Sequence, residues 1–318
     1  GRGWRDLWQD CLALLLMNPG GVRQMLLGNF SGVRIDGSNA TIIGEHIGEF
    51  KADRNSIPRM WMDHGMWSYL TTRLYIDQTG DLEILNQQIG YFKDCHVQRC
   101  QGQDPLWAEG EYRQKDTKGK EYTGTVLEHL LLQHLTAFWE VGEHNHIRLR
   151  NADWNDALDM APHRGESVAF SNAYAGNLIG LAELIEEQQH RGYEEFQFLQ
   201  EMEILFTEDM ALYEDPDGKQ KLLEEYLGKC MHHVSGNSIR VDAGELADNL
   251  RKKGQWMQEH IRRTEWIEED EEKGWFNGYY DDHGAALEGI RGGRAHMMLT
   301  GQVFSLMNAT ATKEQAQK

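Results

Sequence analysis

Cationic charge is scarce in this sequence: 32 Lys and Arg stand against 51 Asp and Glu, a formal charge of -19. A surface of that sign repels a phosphate backbone, which argues against DNA or RNA as the main ligand. Cysteine is scarcer still, with four residues (Cys11, Cys95, Cys100, Cys230) in no regular spacing. That excludes a disulfide framework and leads us to expect reduced thiols in a cytoplasmic protein. Cys95-His96 with Cys100 lacks a second ligand pair, so no metal is expected. No run of about 18 apolar residues occurs, and no basic start precedes an apolar stretch, so neither a membrane span nor a signal peptide is read here. An initiator Met is missing too, and the opening G-R-G-W-R-D leads us to expect a segment of a longer protein.

What is present is enough hydrophobic residue, 40% of the 318, to bury a substantial core. Ten Trp offer flat faces that suit either a core or the apolar faces of sugars, so a neutral, hydroxyl-rich ligand fits better than an anion. Helical periodicity dominates. Trp4, Trp8, Cys11, Leu12, Leu15 and Leu16 form one stripe, ended by Asn18-Pro19-Gly20. Met62 to Thr79 forms a second amphipathic run stopped by Gly80, and a third is expected from Asp81, giving an antiparallel pair. Thr125 and Glu128 read as a capping box before a helix reaching towards Gly142, and a fifth helix is expected from about Val168 to Gln188.

Strand signals are confined to short runs near Val33–Ile35 and Thr41–Ile43. Long polar loops lie at Ser31–Pro58, Gln101–Gly124 and Glu143–Glu166, and loops of that length in a compact domain usually carry function. Paired helices with polar loops gathered on one side describe an all-α toroid or solenoid, and no short repeat favours the solenoid. The stretch at about 192–253 reads as an acidic helical excursion from a single domain spanning 1–318, with Glu194, Glu195, Glu201, Glu203, Glu224 and Glu225 on a solvated face.

Three clusters could carry chemistry. Arg5, Asp6 and Asp10, with Trp4 and Trp8, place acids one turn apart at a helix start. They could grip sugar hydroxyls, or serve as an N-terminal cap with an Arg-Asp ion pair. Asp63 and His64, in M-D-H-G-M-W, bring an acid, an imidazole and an indole to the mouth of a helix, where an N-cap Asp beside a structural His explains them equally well. The third is R-L-R-N-A-D-W-N-D-A-L-D-M at 148–160, where Asp153, Asp156 and Asp159 recur around Trp154. Glycosidic cleavage needs an acid to protonate the leaving oxygen, and a carboxyl beside an indole is a suitable one. A calcium loop competes on its D-x-[DN]-x spacing but lacks the Gly and distant Glu of an EF-hand.

With these clusters in view, the sequence resembles the inverting β-glucan and β-disaccharide phosphorylases, the group of the cellobiose, chitobiose and laminaribiose enzymes. The segments that carry the resemblance follow in order: G-W-R-D-L-W-Q-D at 3–10, M-D-H-G-M-W-S-Y-L at 62–70 with Q-T-G-D at 78–81, T-V-L-E-H at 125–129, A-D-W-N-D at 152–156, G-E-S-V at 165–168, G-Y-Y-D-D at 278–282 and G-Q-V-F-S-L at 301–306.

The resemblance implies an (α/α)6 toroid, incomplete in this chain, and a mechanism with one protein carboxylate, because inorganic phosphate is itself the nucleophile. It implies Asp156 as general acid, Trp154 lining the donor-glucose subsite, Arg5 and Asp6 with Asp10 on that sugar's hydroxyls, Asp63 and His64 as further substrate-binding residues, and Asp153 as loop support. The products would be α-glucose 1-phosphate and a chain shortened by one glucose, with no cofactor and phosphate as co-substrate. The family's phosphate pocket, a His and a Thr-Gly pair, follows the G-Q-V-F-S-L segment and is not in this sequence, so the isolated segment is expected to be inactive. The acidic insertion and the bulky residues after R-D lean towards a β-1,3-oligoglucan substrate. A homodimer of the full-length protein is the expected assembly. Rival readings are an inverting hydrolase on the same toroid, the phosphorylase-like module of a cyclic β-glucan synthase, and a non-catalytic glucan-binding protein.

Overall fold

The computed structural model describes residues 3–51, 59–150 and 161–318. Its helices are α1 (Trp4–Met17), α2 (Val22–Phe30), α3 (His64–Thr79), α4 (Val126–Trp139), α5 (Val168–His190), α6 (Met210–Tyr213), α7 (Pro216–Lys229), α8 (Ala243–Thr264), α9 (Leu299–Met307) and α10 (Lys313–Gln317). The organising element is α4, in which all 14 residues are buried. A helix apolar around most of its circumference can only lie inside a fold, and α4 is packed by α2, α3, α5 and α7, while α5 in turn carries α8 and α9. None of the described helices is long and apolar enough to cross a membrane.

Placing α4 at the centre makes its polar residues expensive unless they are satisfied. The Thr125 hydroxyl caps the helix by accepting from the Glu128 amide. The Glu128 carboxylate does not complete the expected capping box. It turns inward to accept from the hydroxyls of Tyr91 (2.7 Å) and Tyr122 (3.0 Å) and from the Leu199 amide (2.9 Å). Gln133 accepts from Ser68 at 2.7 Å, and His134 meets Asn177 at 3.1 Å.

In α1 the buried stripe is Trp4, Trp8, Cys11 and Leu15. Leu16, expected on that stripe, is 74% exposed, because one further residue rotates the side chain about 100° away from the contact face. The run from Met62 resolves into α3, closed by Gly80 in the left-handed conformation (φ 71°). The helix expected from Asp81 is only a 3-10 turn, Leu82–Asn86. Asp81 is held back by Arg23 and the Tyr75 hydroxyl, and the chain then pairs Gln88–Gly90 with Thr123–Thr125.

Short antiparallel ladders join the helices. In one three-stranded sheet, Glu166–Ser167 lies between Ile147–Arg148 and Tyr279–Tyr280. The acidic stretch at 192–253 carries α6, α7 and the start of α8, and it is packed into the core. It contains the ladder Glu195–Leu199 with Ser238–Asp242, and Phe198, Leu199, Met202, Leu205, Tyr213 and Tyr226 belong to the same core as α4. Its far end enters α8, the main partner of α5. Glu194, Glu195, Glu203, Glu224 and Glu225 are exposed, while Glu201 is half-buried and accepts from the Ser235 amide and hydroxyl.

Two lysines of this region are fully buried. The Lys219 ammonium lies 4.0 Å from the Trp256 ring and 4.4 Å from Phe138, donating to the Asn145 side chain at 2.8 Å. Lys253 faces Phe138, Trp139 and Tyr213 at 5.3 to 5.7 Å and donates to Asn249 and the Thr207 carbonyl. The rings and carbonyls partly replace water around the cations. Burial nevertheless pushes Lys253 down to about 7 from its ordinary 10.5.

A lysine with a depressed native pKa lowers stability wherever the unfolded chain keeps the proton. The penalty is full below about pH 7 and vanishes above about 10.5. Relative to Lys253→Met, the wild-type chain should therefore gain up to about 1.4 kcal/mol per pH unit between pH 7 and 10. Urea unfolding of both proteins across that range checks this, and parallel curves would contradict it.

Candidate functional site

The first and second motif segments meet directly. The Arg5 guanidinium, on the first turn of α1, forks onto the Asp63 carboxylate with Nε at 2.5 Å and Nη2 at 3.0 Å. Asp63 is wholly buried, and Arg5 keeps 18% of its side chain exposed. The same carboxylate accepts from the Trp67 indole at 2.9 Å and makes no capping bond to α3, so the N-cap reading of Asp63 is replaced by a cross-chain clamp. Beneath it, the Arg5 guanidinium lies 4.8 Å from the Trp61 ring, which stacks on His64 with 7° between planes. A cation paired on one side and backed by an indole is held rigid.

Asp6 takes the cap role instead, accepting from the Gly3 amide at 2.8 Å, and its side chain is exposed. Asp10, one turn further along, is half-buried. Its position leaves both acids on neighbouring faces of α1.

His64 is a structural imidazole here. Its Nδ1 is 2.7 Å from the Asn39 amide nitrogen, which also donates to the Ala40 carbonyl. Nδ1 is therefore the acceptor and Nε2 carries the proton. Burial, only partly offset by Asp63, pushes this histidine down to about 4.

A second network ties this cluster to the third motif. Glu140, just past α4, receives the Arg99 guanidinium on one oxygen and Arg150 Nε on the other, the latter at 2.6 Å. Arg99 is fully buried and also reaches Thr136 (2.8 Å), the Met62 sulfur (3.7 Å) and the Asp36 carbonyl. Asp36 lies in a tight loop whose Gly37 has φ 77°, and a Cβ there would sit 2.1 Å from the Thr136 hydroxyl. Burial alone would raise the Glu140 carboxyl, but the two guanidinium charges outweigh it and bring it down to about 2.

Residues 151–160 lie outside the described residues, and with them Asp156, Trp154, Asp153 and Asp159. The chain on both sides of them is tightly fixed. Arg150 is anchored by Glu140. The strands Ile147–Arg148 and Glu166–Ser167 pair across the segment, and the Leu149 amide donates to the Gly165 carbonyl at 2.9 Å. On the downstream side, Asp282 accepts from the amides of His163 and Arg164 at 2.7 Å each. Its G-Y-Y-D-D segment pairs with Glu166–Ser167, and Gly278 packs against Gly301, whose neighbour Gln302 clamps Phe276 through both its amide and its carbonyl. Five of the seven motif segments are thus joined through a single chain of contacts.

Sequence reading missed several participants. Trp61 stands two residues before Asp63, one step outside the motif as quoted. Arg99, Glu140 and Asn39 lie in segments with no pattern of their own. Behind the 144–146 turn, Glu166 accepts from His144 and from the His146 amide, while Glu265 gathers His146 (2.9 Å), Asn277 (2.9 Å) and Tyr280 (3.0 Å). Burial opposes ionisation of Glu265, yet those hydrogen bonds bring it down to about 2. The pairing of His146 with Glu265, 119 residues apart, leaves no mark in the local sequence.

No protein-family model matches this chain. It is similar to the solabiose phosphorylase of Paenibacillus borealis, 26% identical over 189 residues. The match covers 59% of this chain and spans 20% of that protein's length.

Removing the charge of Asp63 leaves Arg5 unpaired. Asp63→Asn should destabilise the chain by about 2–3 kcal/mol, less than for a fully buried pair because Arg5 retains contact with water, and urea unfolding followed by Trp fluorescence measures it. His64 should remain neutral from pH 8 down to pH 5. A ring carbon shift in the NMR spectrum that titrates near pH 6.5 would contradict its burial.

Proposed function

We propose that this chain is the site-bearing part of a glycoside phosphorylase, and that its helices belong to an (α/α)6 toroid. The observation that carries the reading is the convergence of motif segments. Arg5 and Asp63, the Glu140–Arg150 anchor and the strands Glu166–Ser167 and Tyr279–Tyr280, from opposite ends of the sequence, are connected around the two stems of segment 151–160. The similarity to a solabiose phosphorylase supports phosphorolysis over the other reaction classes. The rigid Arg5 fork with its indole backing suits the hydroxyls and apolar face of a sugar ring.

In this reading Asp156 protonates the leaving glycosidic oxygen and inorganic phosphate attacks the anomeric carbon from the opposite face, inverting it. The bond from the anomeric carbon to the leaving oxygen breaks as its bond to phosphate forms, giving a sugar 1-phosphate and a shortened glycoside. A hydrolase would need a second carboxylate to activate water, whereas phosphate arrives already nucleophilic. Trp154 and the Arg5 clamp hold the donor sugar, with Asp6 and Asp10 on its hydroxyls. A β-1,3-linked gluco-oligosaccharide is the favoured substrate on the character of the opening segment.

The test is to incubate the full-length protein with phosphate and a panel of β-linked glycosides and to measure glucose 1-phosphate. Release on at least one member is expected. Asp156→Asn should reduce it by about 10²- to 10⁴-fold in both directions with substrate binding retained. Phosphate-independent release of free glucose, or normal turnover in that variant, would overturn the reading.

A further inference from the structure

A cleft of about 710 Å³ opens on the loops that follow α2 and precede α4. None of the Arg5, Asp63, Trp67 or His64 side chains lines it. Its walls carry four aromatic rings: Phe50, Phe92, Trp107 and Tyr112. Phe50 and Phe92 meet edge to face at 6.4 Å and form the inner wall, and Trp107 and Tyr112 form the outer rim with ring centres 6.2 Å apart. Tyr112 is 49% exposed, so its ring face is open to solvent at the rim.

The rim is fixed in place. The Trp107 indole donates to the Glu111 carbonyl at 2.8 Å, the Lys93 amide donates to the Tyr112 carbonyl at 3.2 Å, and Arg113 bridges the Ser31 and Gly48 carbonyls. Behind the inner wall, the fully buried pair Arg34–Asp94 at 2.6 Å anchors the Phe92 segment.

Charge narrows the class of ligand. Besides Asp94, which is paired with Arg34, the lining holds three carboxylates, Glu45, Glu49 and Glu109, against the cations Lys51 and Arg113. That balance disfavours an anion such as phosphate, while carboxylates are good acceptors for hydroxyl groups. Rings at two levels with acceptors between them suit a ligand having apolar faces and polar edges, and the volume falls within the usual range for small-molecule sites of roughly 300–1,000 Å³. The cleft also lies close to the start of α1: a Cβ on Gly32 would come within 2.7 Å of the Trp4 indole nitrogen and 2.9 Å of the Phe50 ring.

We propose that this cleft is a binding site for a neutral oligosaccharide, holding sugar units remote from the bond that reacts. Trp107 and Tyr112 stack on successive sugar faces, and Glu45 and Glu109 accept hydroxyl hydrogens at the open end. The proposal rests on the phosphorylase reading only for its choice of β-linked probes.

The test is calorimetric titration of the full-length protein, without phosphate, with a β-1,3-linked glucopentaose and with the corresponding disaccharide. Trp107→Ala combined with Tyr112→Ala should weaken pentasaccharide binding by at least about tenfold and leave disaccharide turnover within about twofold. Trp107→Phe, which keeps a ring, should retain most of the binding. Unchanged pentasaccharide affinity in the double variant, an equal loss for disaccharide and pentasaccharide, or no binding to the wild-type protein would each overturn it. Because glucose 1-phosphate release is measured separately, failure of the cleft and failure of the phosphorylase reading give different results.

Discussion

The structure around the site depends on one buried carboxylate, Glu140. It stands at the end of the central helix and is flanked by two guanidinium groups, Arg99 and Arg150. Burying three charges is unfavourable in isolation, and an apolar replacement of the same shape could be as stable. What the triad supplies is position. Arg99 carries the Asp36 loop, the end of α4 and Met62, next to Asp63, while Arg150 is the last described residue before the segment that holds the candidate acid. Each guanidinium presents a planar set of donors, so the angle between these parts is fixed as well as their distance.

The same arrangement recurs on the other side of that segment. Glu166 and Glu265 are buried, and each is satisfied by donors from distant parts of the chain, so the short sheet that joins the two flanking stems is braced by charge-assisted bonds more than by ladder length. The strands are only two residues long and would not hold alone. A reacting group gains most from rigid surroundings, because placing it costs entropy that is then spent before the substrate arrives.

Backbone packing brings the aromatic cleft close to α1. A Cβ added at Gly32 would meet both the Trp4 indole nitrogen and the Phe50 ring, so the inner wall of the cleft is packed near the start of that helix.

Local signals were readable directly. The Trp4–Leu15 stripe, the Gly80 stop, the Thr125 cap and the extent of α5 each depend on residues within a few positions of one another, and α1, α3, α4 and α5 appear where periodicity places them. The pairing of acids was readable only as a list of candidates. The sequence could not say that Asp63 would face Arg5 instead of capping α3, that Glu128 would turn inward to two tyrosines, or that Asp6 would be the cap, because a carboxylate's choice among partners is decided by which chain segment arrives beside it. Trp61, Asn39, Arg99 and Glu140 had no local pattern at all.

The sequence by itself determined α1, α3, α4 and α5 and the order of the motif segments, since helix formation and capping are set by neighbours along the chain. Tertiary structure alone decided which charges are buried together, which aromatic rings remain open to a ligand and which loops share a wall, because burial and partner choice arise only when distant segments pack.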